Sequence, residues 1–282
     1  MKAKLFSPLL LLFVFAGKAS AQYPDGFLTD ATRPDATQWL PEPPTLTGGD
    51  FANDFYYYQW GKTQRDGEVG EMALSDESTP LYEIFSEAMG IELSYANTPE
   101  IIFLAESATS DVRLSNKAAK NYYQRRRPFA TFNEPSLKPE EDETEASTYS
   151  YPSTHAANGW MFALALCTVA PERTEEIMNR AREYALHRVV CGHHWKSDID
   201  AALMLASGLF ANVVATESYQ QQLIKSRNEY ATLRGESTGI SSAANINSHS
   251  SSPVYNLQGQ QVNPQSNTRQ VYIREGIKYI SQ

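Results

Sequence analysis

The sequence has little cysteine, no long apolar run and fewer basic than acidic residues, and each shortage excludes a class of protein. Only Cys167 and Cys191 occur among 282 residues, which excludes a disulfide framework. A single bridge and a pair of buried free thiols remain as alternatives. No stretch beyond Ala21 holds about eighteen consecutive apolar residues, so we expect no stable membrane insertion. Binding to a polyanion usually needs an excess of basic residues, whereas this chain has a formal net charge of −9. We therefore expect no nucleic-acid partner.

The first residues are typical of a secretory signal peptide. A basic start precedes an apolar run from Leu9 to Ala16, and Ala19-Ser20-Ala21 offers small residues for cleavage before Gln22. The apolar run is too short to cross a bilayer, which disfavours a membrane anchor. We therefore predict that residues 1–21 are removed and that the mature protein is periplasmic, secreted or held at the cell surface.

Composition divides the rest of the chain into four parts. Residues 22–49 are rich in proline and glycine, which predicts an irregular lead-in. Residues 50–235 carry apolar side chains at helical spacing without an alternating strand pattern, which predicts an all-α domain. Residues 236–252 are rich in serine and asparagine and are typical of a linker. Residues 253–282 predict a short β-rich tail.

The tail has its own sequence pattern. Four β-prone segments are separated by turn residues: Val254–Leu257, Gln261–Val262, Val271–Ile273 and Lys278–Ile280. This arrangement resembles the small C-terminal sorting modules of secreted Bacteroidetes proteins, which implies secretion machinery as a partner. A disordered extension is the alternative.

Several helices can be predicted inside residues 50–235. Thr98 is a candidate N-cap before Pro99, and the helix that begins there should continue to about Arg126. Aromatic residues at helical spacing predict an earlier helix whose rings pack inward: Phe51, Phe55, Tyr58 and Trp60. Further helices are expected over 80–89, from 171 towards 188, over 199–214 and over 217–233. The acidic stretch 136–149 predicts a mobile loop.

Three ordered blocks carry the residues best suited to binding and transforming an oxyanion. Lysine and arginine supply fixed positive charge, a helix N-terminus supplies amides, and a carboxylate four residues after a histidine can hold one ring nitrogen if both lie on a helix. The blocks are Lys120 with Arg127-Pro128, then Pro152-Ser153-Thr154-His155, then Arg188 with His194 and Asp198.

The three blocks together resemble the signature of the PAP2 acid phosphatase and vanadium haloperoxidase superfamily, and the flanks resemble class A non-specific acid phosphatases. The resemblance implies a PAP2-type helical bundle that hydrolyses a small phosphomonoester. It also implies a phosphohistidine intermediate that needs no metal and no cofactor. Whether the chain forms a homo-oligomer stays open.

The resemblance also implies a role for each residue. His194 would attack phosphorus while Asp198 orients its ring, and His155 would protonate the leaving oxygen and then activate water. The phosphate oxygens would be held by Lys120, Arg127, Ser153, Thr154 and Arg188. Thr154 stands where relatives usually have glycine, so we expect a restricted backbone approach there.

Alternatives to these roles remain open. His193 competes with His194, although only His194 has a carboxylate four residues ahead. Arg125 and Arg126 fit a solvated basic face as well as a direct role, and His187 is expected to pack. Other functions are phosphoryl transfer to a nucleoside, a vanadate-dependent haloperoxidase and a non-catalytic surface binding protein.

Overall fold

The structure is a computed structural model, and it describes residues 24–235 together with the short stretches 254–255, 261–262, 271–274 and 277–280. The predicted signal peptide and the predicted linker lie outside the described residues. Within 24–235 the regular structure is helical, which confirms the predicted all-α class. The helices are α1 Phe51–Thr63, α2 Glu68–Ser78, α3 Leu81–Met89, α4 Pro99–Tyr123, α5 Pro128–Phe132, α6 Asp142–Ala146, α7 Thr154–Val169, α8 Thr174–Cys191, α9 Lys196–Val213 and α10 Glu217–Leu233.

Helix α7 forms the centre of the bundle. Its sequence is apolar on all sides, so a neighbour must cover each face. Helices α4, α8 and α9 pack around it, and Met161, Phe162 and Leu166 are fully buried. The N-terminus of α7 and the junction between α8 and α9 therefore lie close together. Those are the chain segments that carry the second and third sequence blocks.

The long helix α4 ends earlier than its sequence predicts. Gln124 has a left-handed backbone with φ 49°, and the helix stops at Tyr123. Arg127 is thus the extended N-cap residue of α5, not a residue of α4. The reason is Pro128, which disfavours helical geometry at the residue before it.

The start of α4 lies where it was predicted, but a different side chain caps it. Thr98 accepts a hydrogen bond from the Ser94 amide instead of capping the helix. The Glu229 carboxylate from α10 accepts hydrogen bonds from the amides of Glu100 and Ile101 at 3.2 and 2.9 Å. A carboxylate is favourable at this positive end of the helix dipole, and it connects α10 to α4.

Helix α2 was missed by the sequence analysis. It contains Gly70 and few apolar residues, so its sequence shows no clear apolar stripe. It forms because it packs against α8. The Gly70 position has no room for a side chain, since a Cβ would lie 1.9 Å from the carbonyl oxygen of Arg65. This helix brings Asp76 and Glu77 to α8.

The acidic stretch 136–149 is more ordered than the predicted loop. It contains a 3-10 turn at Pro139–Glu141 followed by α6. The carboxylate of Asp142 accepts a hydrogen bond from the Ser136 amide at 3.1 Å, which closes the segment on itself. Acidic residues in the first turn of α6 favour the helix through its dipole.

The predicted aromatic helix α1 forms, but only part of its aromatic face is buried. Tyr58 is 1% exposed and lies beside Trp195, with ring centroids 5.9 Å apart. Phe55 remains 44% exposed, so the expectation that all these rings pack inward is wrong. Cys167 and Cys191 are both free thiols, which decides between the two alternatives for the cysteines.

No single helix in the described part of the chain is long and apolar enough to cross a bilayer. Helices α9 and α10 are long and apolar enough only when taken together, and the chain bends by 95° between them.

Four short strands lie in the predicted tail: β1 Val254–Tyr255, β2 Gln261–Val262, β3 Val271–Arg274 and β4 Ile277–Ile280. They form one antiparallel sheet in the order β2-β1-β3-β4. Each strand overlaps a segment that was predicted as β-prone.

Candidate active site

His194 lies in the turn between α8 and α9. Helix α8 ends before Gly192, which has a left-handed backbone with φ 81°. The expectation that His194 and Asp198 share one helix face is therefore wrong. The two side chains still approach, because the Asp198 carboxylate in the first turn of α9 accepts a hydrogen bond from the Trp195 amide at 2.8 Å. His194 Nδ1 lies 3.4 Å from Asp198 Oδ2.

Arg125 holds Asp198 from the opposite side. Its Nη1 donates to Asp198 Oδ1 at 2.7 Å and its Nη2 donates to Asp54 Oδ2 at 2.6 Å. Its guanidinium group also lies over the ring of Trp195, at 5.3 Å from the centroid. Both carboxylates are buried, whereas the neighbouring Arg126 is exposed. Of the two arginines left open by the sequence, Arg125 thus belongs to the site.

Two cations of the first block lie beside His194. Arg127 is buried, and its Nη1 is 3.1 Å from His194 Nε2 and donates to the His193 carbonyl at 3.0 Å. The ammonium group of Lys120 donates to the carbonyls of Tyr149 and Ser150. Arg127 therefore approaches the ring nitrogen of His194 that Asp198 does not face.

Arg188 is held by residues from two helices. Its Nη2 lies 2.7 Å from Nδ1 of His193, and its Nη1 donates to Glu77 Oε1 on α2 at 2.8 Å. The His194 amide donates to the Arg188 carbonyl at 3.3 Å, which links the end of α8 to the turn. His193 thus positions Arg188, and its Nδ1 also lies 3.5 Å from Glu77 Oε1. The three side chains form one cluster, whereas His194 is the histidine that has Arg127 at its second ring nitrogen.

The second block forms the N-terminus of α7. Ser153 is its buried N-cap, and the Ser153 hydroxyl accepts a hydrogen bond from the Ala156 amide at 3.3 Å. The Ser153 amide donates to the Asp198 carbonyl at 3.1 Å, which fixes this helix end against α9. The amides of Thr154 and His155 have no acceptor within the helix because of their position. They can bind an anion.

Thr154 does not restrict the backbone as its sequence suggests. It is the first residue of α7 and has no positive φ. Its hydroxyl donates to Asn116 Oδ1 at 2.6 Å, so the side chain points to α4. The amide of Thr154, and not its hydroxyl, is therefore the group available to an anion at the N-terminus of α7.

Tyr184 on α8 holds the ring of His155. The two rings stack with centroids 4.2 Å apart and planes 15° apart, and the Tyr184 hydroxyl lies 3.3 Å from His155 Nδ1. The stack needs glycine at position 159, because a Cβ there would lie 2.3 Å from Tyr184 Cδ1. His155 Nε2 is buried without a hydrogen-bond partner among the described residues. That nitrogen is left for a ligand.

We expect Tyr184→Phe to reduce kcat by about fivefold, because it removes a hydrogen bond worth about 1 kcal/mol and keeps the ring stack. Gly159→Ala should reduce it further, since the added methyl group displaces the Tyr184 ring. Steady-state kinetics with the pH dependence of kcat would show the effect, because a change around His155 alters the pH profile. An unchanged profile in Gly159→Ala would show that the stack does not position His155.

The electrostatics of the site favour the neutral form of both imidazoles in the free protein. Burial, together with the positive charges of Arg127 and Lys120, lowers the pKa of His194 well below its usual value. Burial and the charge of Arg188 lower the pKa of His155 in the same direction. Burial and the charge of Arg127 lower the pKa of Lys120 to about 7. A neutral imidazole has a free lone pair, which is the form that a nucleophilic histidine needs.

A cavity of about 410 Å³ opens beside His155. The stacked pair of His155 and Tyr184 lies at its wall, and Glu77 lies between this cavity and Arg188. The size falls within the roughly 300–1,000 Å³ of small-molecule sites. The site thus has a place for the rest of a substrate next to its second histidine.

Comparison with known proteins identifies the family. A family model described as the PAP2 superfamily matches residues 101–222, which include every predicted site residue. A non-specific acid phosphatase from Providencia stuartii is 35% identical over 212 residues, which are 74% of this chain and 86% of the relative. The chain belongs to the PAP2 superfamily.

Further relatives of this PAP2 chain carry similar names. A non-specific acid phosphatase from Salmonella typhimurium is 31% identical over 233 residues, 81% of this chain and 93% of the relative. An acid phosphatase from Zymomonas mobilis is 27% identical over 203 residues, 71% of this chain and 77% of the relative. The resemblance to non-specific acid phosphatases that the sequence motifs indicate is confirmed.

The PAP2 site contains residues that sequence reasoning missed. Glu77 gave no signal, because it lies far from the motif blocks on a helix that was not predicted. Tyr184 had a weak signal, since it lies four residues before Arg188 on α8 and residues at that spacing share a helix face. Glu145 was assigned only to an acidic loop, but its carboxylate forms a 2.6 Å ion pair with Arg127.

Proposed function

We propose that this PAP2 chain is a secreted acid phosphatase that hydrolyses phosphomonoesters through a phosphohistidine on His194, without a metal ion. The observation that supports it best is the environment of the His194 ring. Asp198 lies on the Nδ1 side at 3.4 Å, and Arg127 lies on the Nε2 side at 3.1 Å. The free nitrogen therefore faces a phosphate-binding cation.

In the first step, His194 Nε2 attacks phosphorus, and the bond from phosphorus to the leaving oxygen breaks. The proton on Nδ1 stays near Asp198, whose carboxylate stabilises the positive ring that forms. Lys120, Arg127 and Arg188 stabilise the negative charge on the phosphoryl oxygens, and the amides at the start of α7 add donors.

In the same step His155 donates a proton to the leaving oxygen. Burial and Arg188 lower the pKa of His155 in the free protein, and the negative charge of the bound dianion opposes that shift and favours the protonated form. In the second step neutral His155 takes a proton from water, the water oxygen attacks phosphorus, and the bond from phosphorus to His194 breaks. Inorganic phosphate and the free enzyme result.

Two carboxylates already occupy the arginines of the phosphate site. Glu77 binds Arg188 at 2.8 Å, and Glu145 binds Arg127 at 2.6 Å. Burial opposes the ionisation of Glu77, but the His193 hydrogen bond and the Arg188 charge outweigh it and lower its pKa well below the usual value. A phosphate dianion would compete with both carboxylates for these arginines. A substrate with two charges on one tetrahedral group competes better than a single carboxylate.

The acid-side activity should depend on Lys120. Its pKa of about 7 means that the ammonium form is present below pH 7 and is lost above it. We expect kcat/KM to fall as the pH rises through about 7 and the Lys120→Arg variant to retain kcat/KM to higher pH, since arginine stays charged. The substrate phosphate also titrates, with a second pKa of about 6. The pH profiles of kcat/KM for the wild-type protein and for Lys120→Arg are therefore compared on the same substrate. Coincident profiles would exclude Lys120 as the titrating group.

We also propose that the mature protein begins at Gln22 and acts in the periplasm, outside the cell or on its surface. A partner in the secretion machinery would then recognise the β-rich tail. The support is the sequence pattern of the two termini. Mass measurement of the protein recovered from intact cells would test the cleavage site.

The direct test of the proposed function is an assay of the mature protein on p-nitrophenyl phosphate in EDTA, with and without orthovanadate. We expect turnover that persists in EDTA and is inhibited by vanadate, because vanadate resembles the phosphoryl transition state. Activity that is abolished by EDTA and restored by a divalent metal would contradict the metal-independent mechanism.

A further inference from the structure

A leaving group that His155 protonates would lie next to the cavity that His155 lines. His155 lies at its wall, and the proposed function gives this histidine the task of protonating the leaving oxygen. An alcohol that receives the proton of His155 and departs away from His194 extends into this space. The residues that line the cavity therefore select the alcohol part of the substrate. The inference below rests on the proposed function.

The cavity is acidic. Glu77 and Glu106 both line it, and none of the described residues that line it is lysine or arginine. The charge of Glu77 is balanced by Arg188 at 2.8 Å and by Lys138 at 3.7 Å. Glu106 has no ion pair within the part of the chain that the structure describes. Its negative charge is thus left for the cavity.

Two tyrosine side chains line the cavity beside this carboxylate. The Tyr95 hydroxyl donates to Glu106 Oε1 at 2.7 Å and fixes its position. The rings of Tyr82 and Tyr95 lie edge to face with centroids 5.2 Å apart, and both line the cavity. A carboxylate next to aromatic faces is the combination that binds an organic ammonium group, because the ring quadrupole and the negative charge both attract a cation.

Burial raises the pKa of Glu106 from its ordinary value. Glu106 is half-buried, and a bound ammonium group would offset the cost of keeping its charge partly out of water. A leaving group that carries a carboxylate would instead be repelled by Glu106. The charge of the cavity thus favours a phosphomonoester whose alcohol carries an ammonium group over one whose alcohol carries a carboxylate. The phosphate site alone does not distinguish the two.

We propose that this cavity selects phosphomonoesters of alcohols that carry an ammonium group, with Glu106, Tyr82 and Tyr95 as the recognising residues. The test compares phosphocholine with 3,3-dimethylbutyl phosphate, its neutral isostere, in which carbon replaces the quaternary nitrogen. Shape and phosphate group are the same, so the ratio of kcat/KM reports the recognition of charge. We expect the wild-type protein to favour phosphocholine roughly tenfold in kcat/KM, because the ammonium group gains a cation–π contact with the tyrosines and a charge contact with Glu106.

The variants identify the source of the preference. Glu106→Gln should bring the ratio close to one, whereas Glu106→Asp should retain much of it because the charge stays. Glu71→Gln is the matched control, since Glu71 is an exposed carboxylate on α2 that does not line the cavity, and it should keep the wild-type ratio.

The outcomes separate the inference from the proposed function. Turnover of p-nitrophenyl phosphate with a wild-type ratio near one would overturn the inference and leave the proposed function standing. A preference for phosphocholine that persists unchanged in Glu106→Gln would also overturn it. Absence of turnover on p-nitrophenyl phosphate and on both esters would overturn the proposed function and the inference with it.

Discussion

Replacement of His194 by alanine is expected to reduce kcat by roughly 10⁴-fold or more, the scale seen when a nucleophile of a covalent mechanism is removed. The loss should be large because no neighbouring group can take over. His193 is the adjacent imidazole, but its Nδ1 lies against Arg188 and Glu77 at 2.7 and 3.5 Å. Its Nε2 has no hydrogen-bond partner among the described residues, whereas Nε2 of His194 faces Arg127. Steady-state kinetics on p-nitrophenyl phosphate would measure the loss.

His193→Ala is the matched control for this prediction. It removes a neighbouring imidazole of the same size and loosens Arg188, so phosphate binding should weaken and KM should rise. Its effect on kcat should stay within roughly a hundredfold, the lower end of the range for losing one electrostatic contact to the transition state, because His193 acts only through Arg188. A greater loss of kcat in His193→Ala than in His194→Ala would reverse the assignment of the two histidines.

The second large effect is expected on stability, from Arg125→Ala. Arg125 is the shared partner of Asp54 and Asp198, which are 1% and 0% exposed. Its removal leaves two buried carboxylates without a cation, and breaking a buried ion pair in this way costs about 3–5 kcal/mol of unfolding free energy. Activity should fall as well, because Asp198 loses the group that fixes its position. Urea unfolding at neutral pH would measure the change.

The pH dependence of that variant provides an internal check. Burial raises the pKa of Asp198, and Arg125 opposes this effect in the wild-type protein. Without Arg125 the pKa of the folded state rises further above that of the unfolded state. The destabilisation should therefore be full above the folded pKa and disappear as the pH falls below the unfolded pKa. Arg126→Ala is the control, because Arg126 is exposed and its loss should change stability by less than about 0.5 kcal/mol.

Local sequence was enough to predict much of this protein. The apolar run of α7, the proline at the start of α4 and the absence of alternating strands all follow from short-range rules, and they predicted the all-α class. The PAP2-type bundle was implied by the resemblance of the motif blocks. The motif blocks also named residues that the fold brings together. Arg127 and His194, which are 67 positions apart, lie 3.1 Å apart.

The errors have a common physical cause, which is that packing overrides local pattern. The spacing of His194 and Asp198 suggested a helix, but Gly192 ends α8 and the contact arises from the turn and the first residues of α9. Helix α2 has a weak pattern and is stabilised by α8, so Glu77 could not be placed. Neither the Arg125 bridge nor the cavity beside His155 is visible without the tertiary contacts that make them.

The most direct test of the account is to trap the covalent intermediate. In His155→Ala, p-nitrophenyl phosphate can still phosphorylate the enzyme, because its leaving group needs little protonation, while the second step lacks its base. Rapid quenching followed by peptide mass spectrometry under alkaline conditions should find one phosphoryl group on His194 that accumulates above the wild-type level. No phosphoprotein in either protein, or a phosphoryl group on any residue other than His194, would contradict the proposed mechanism.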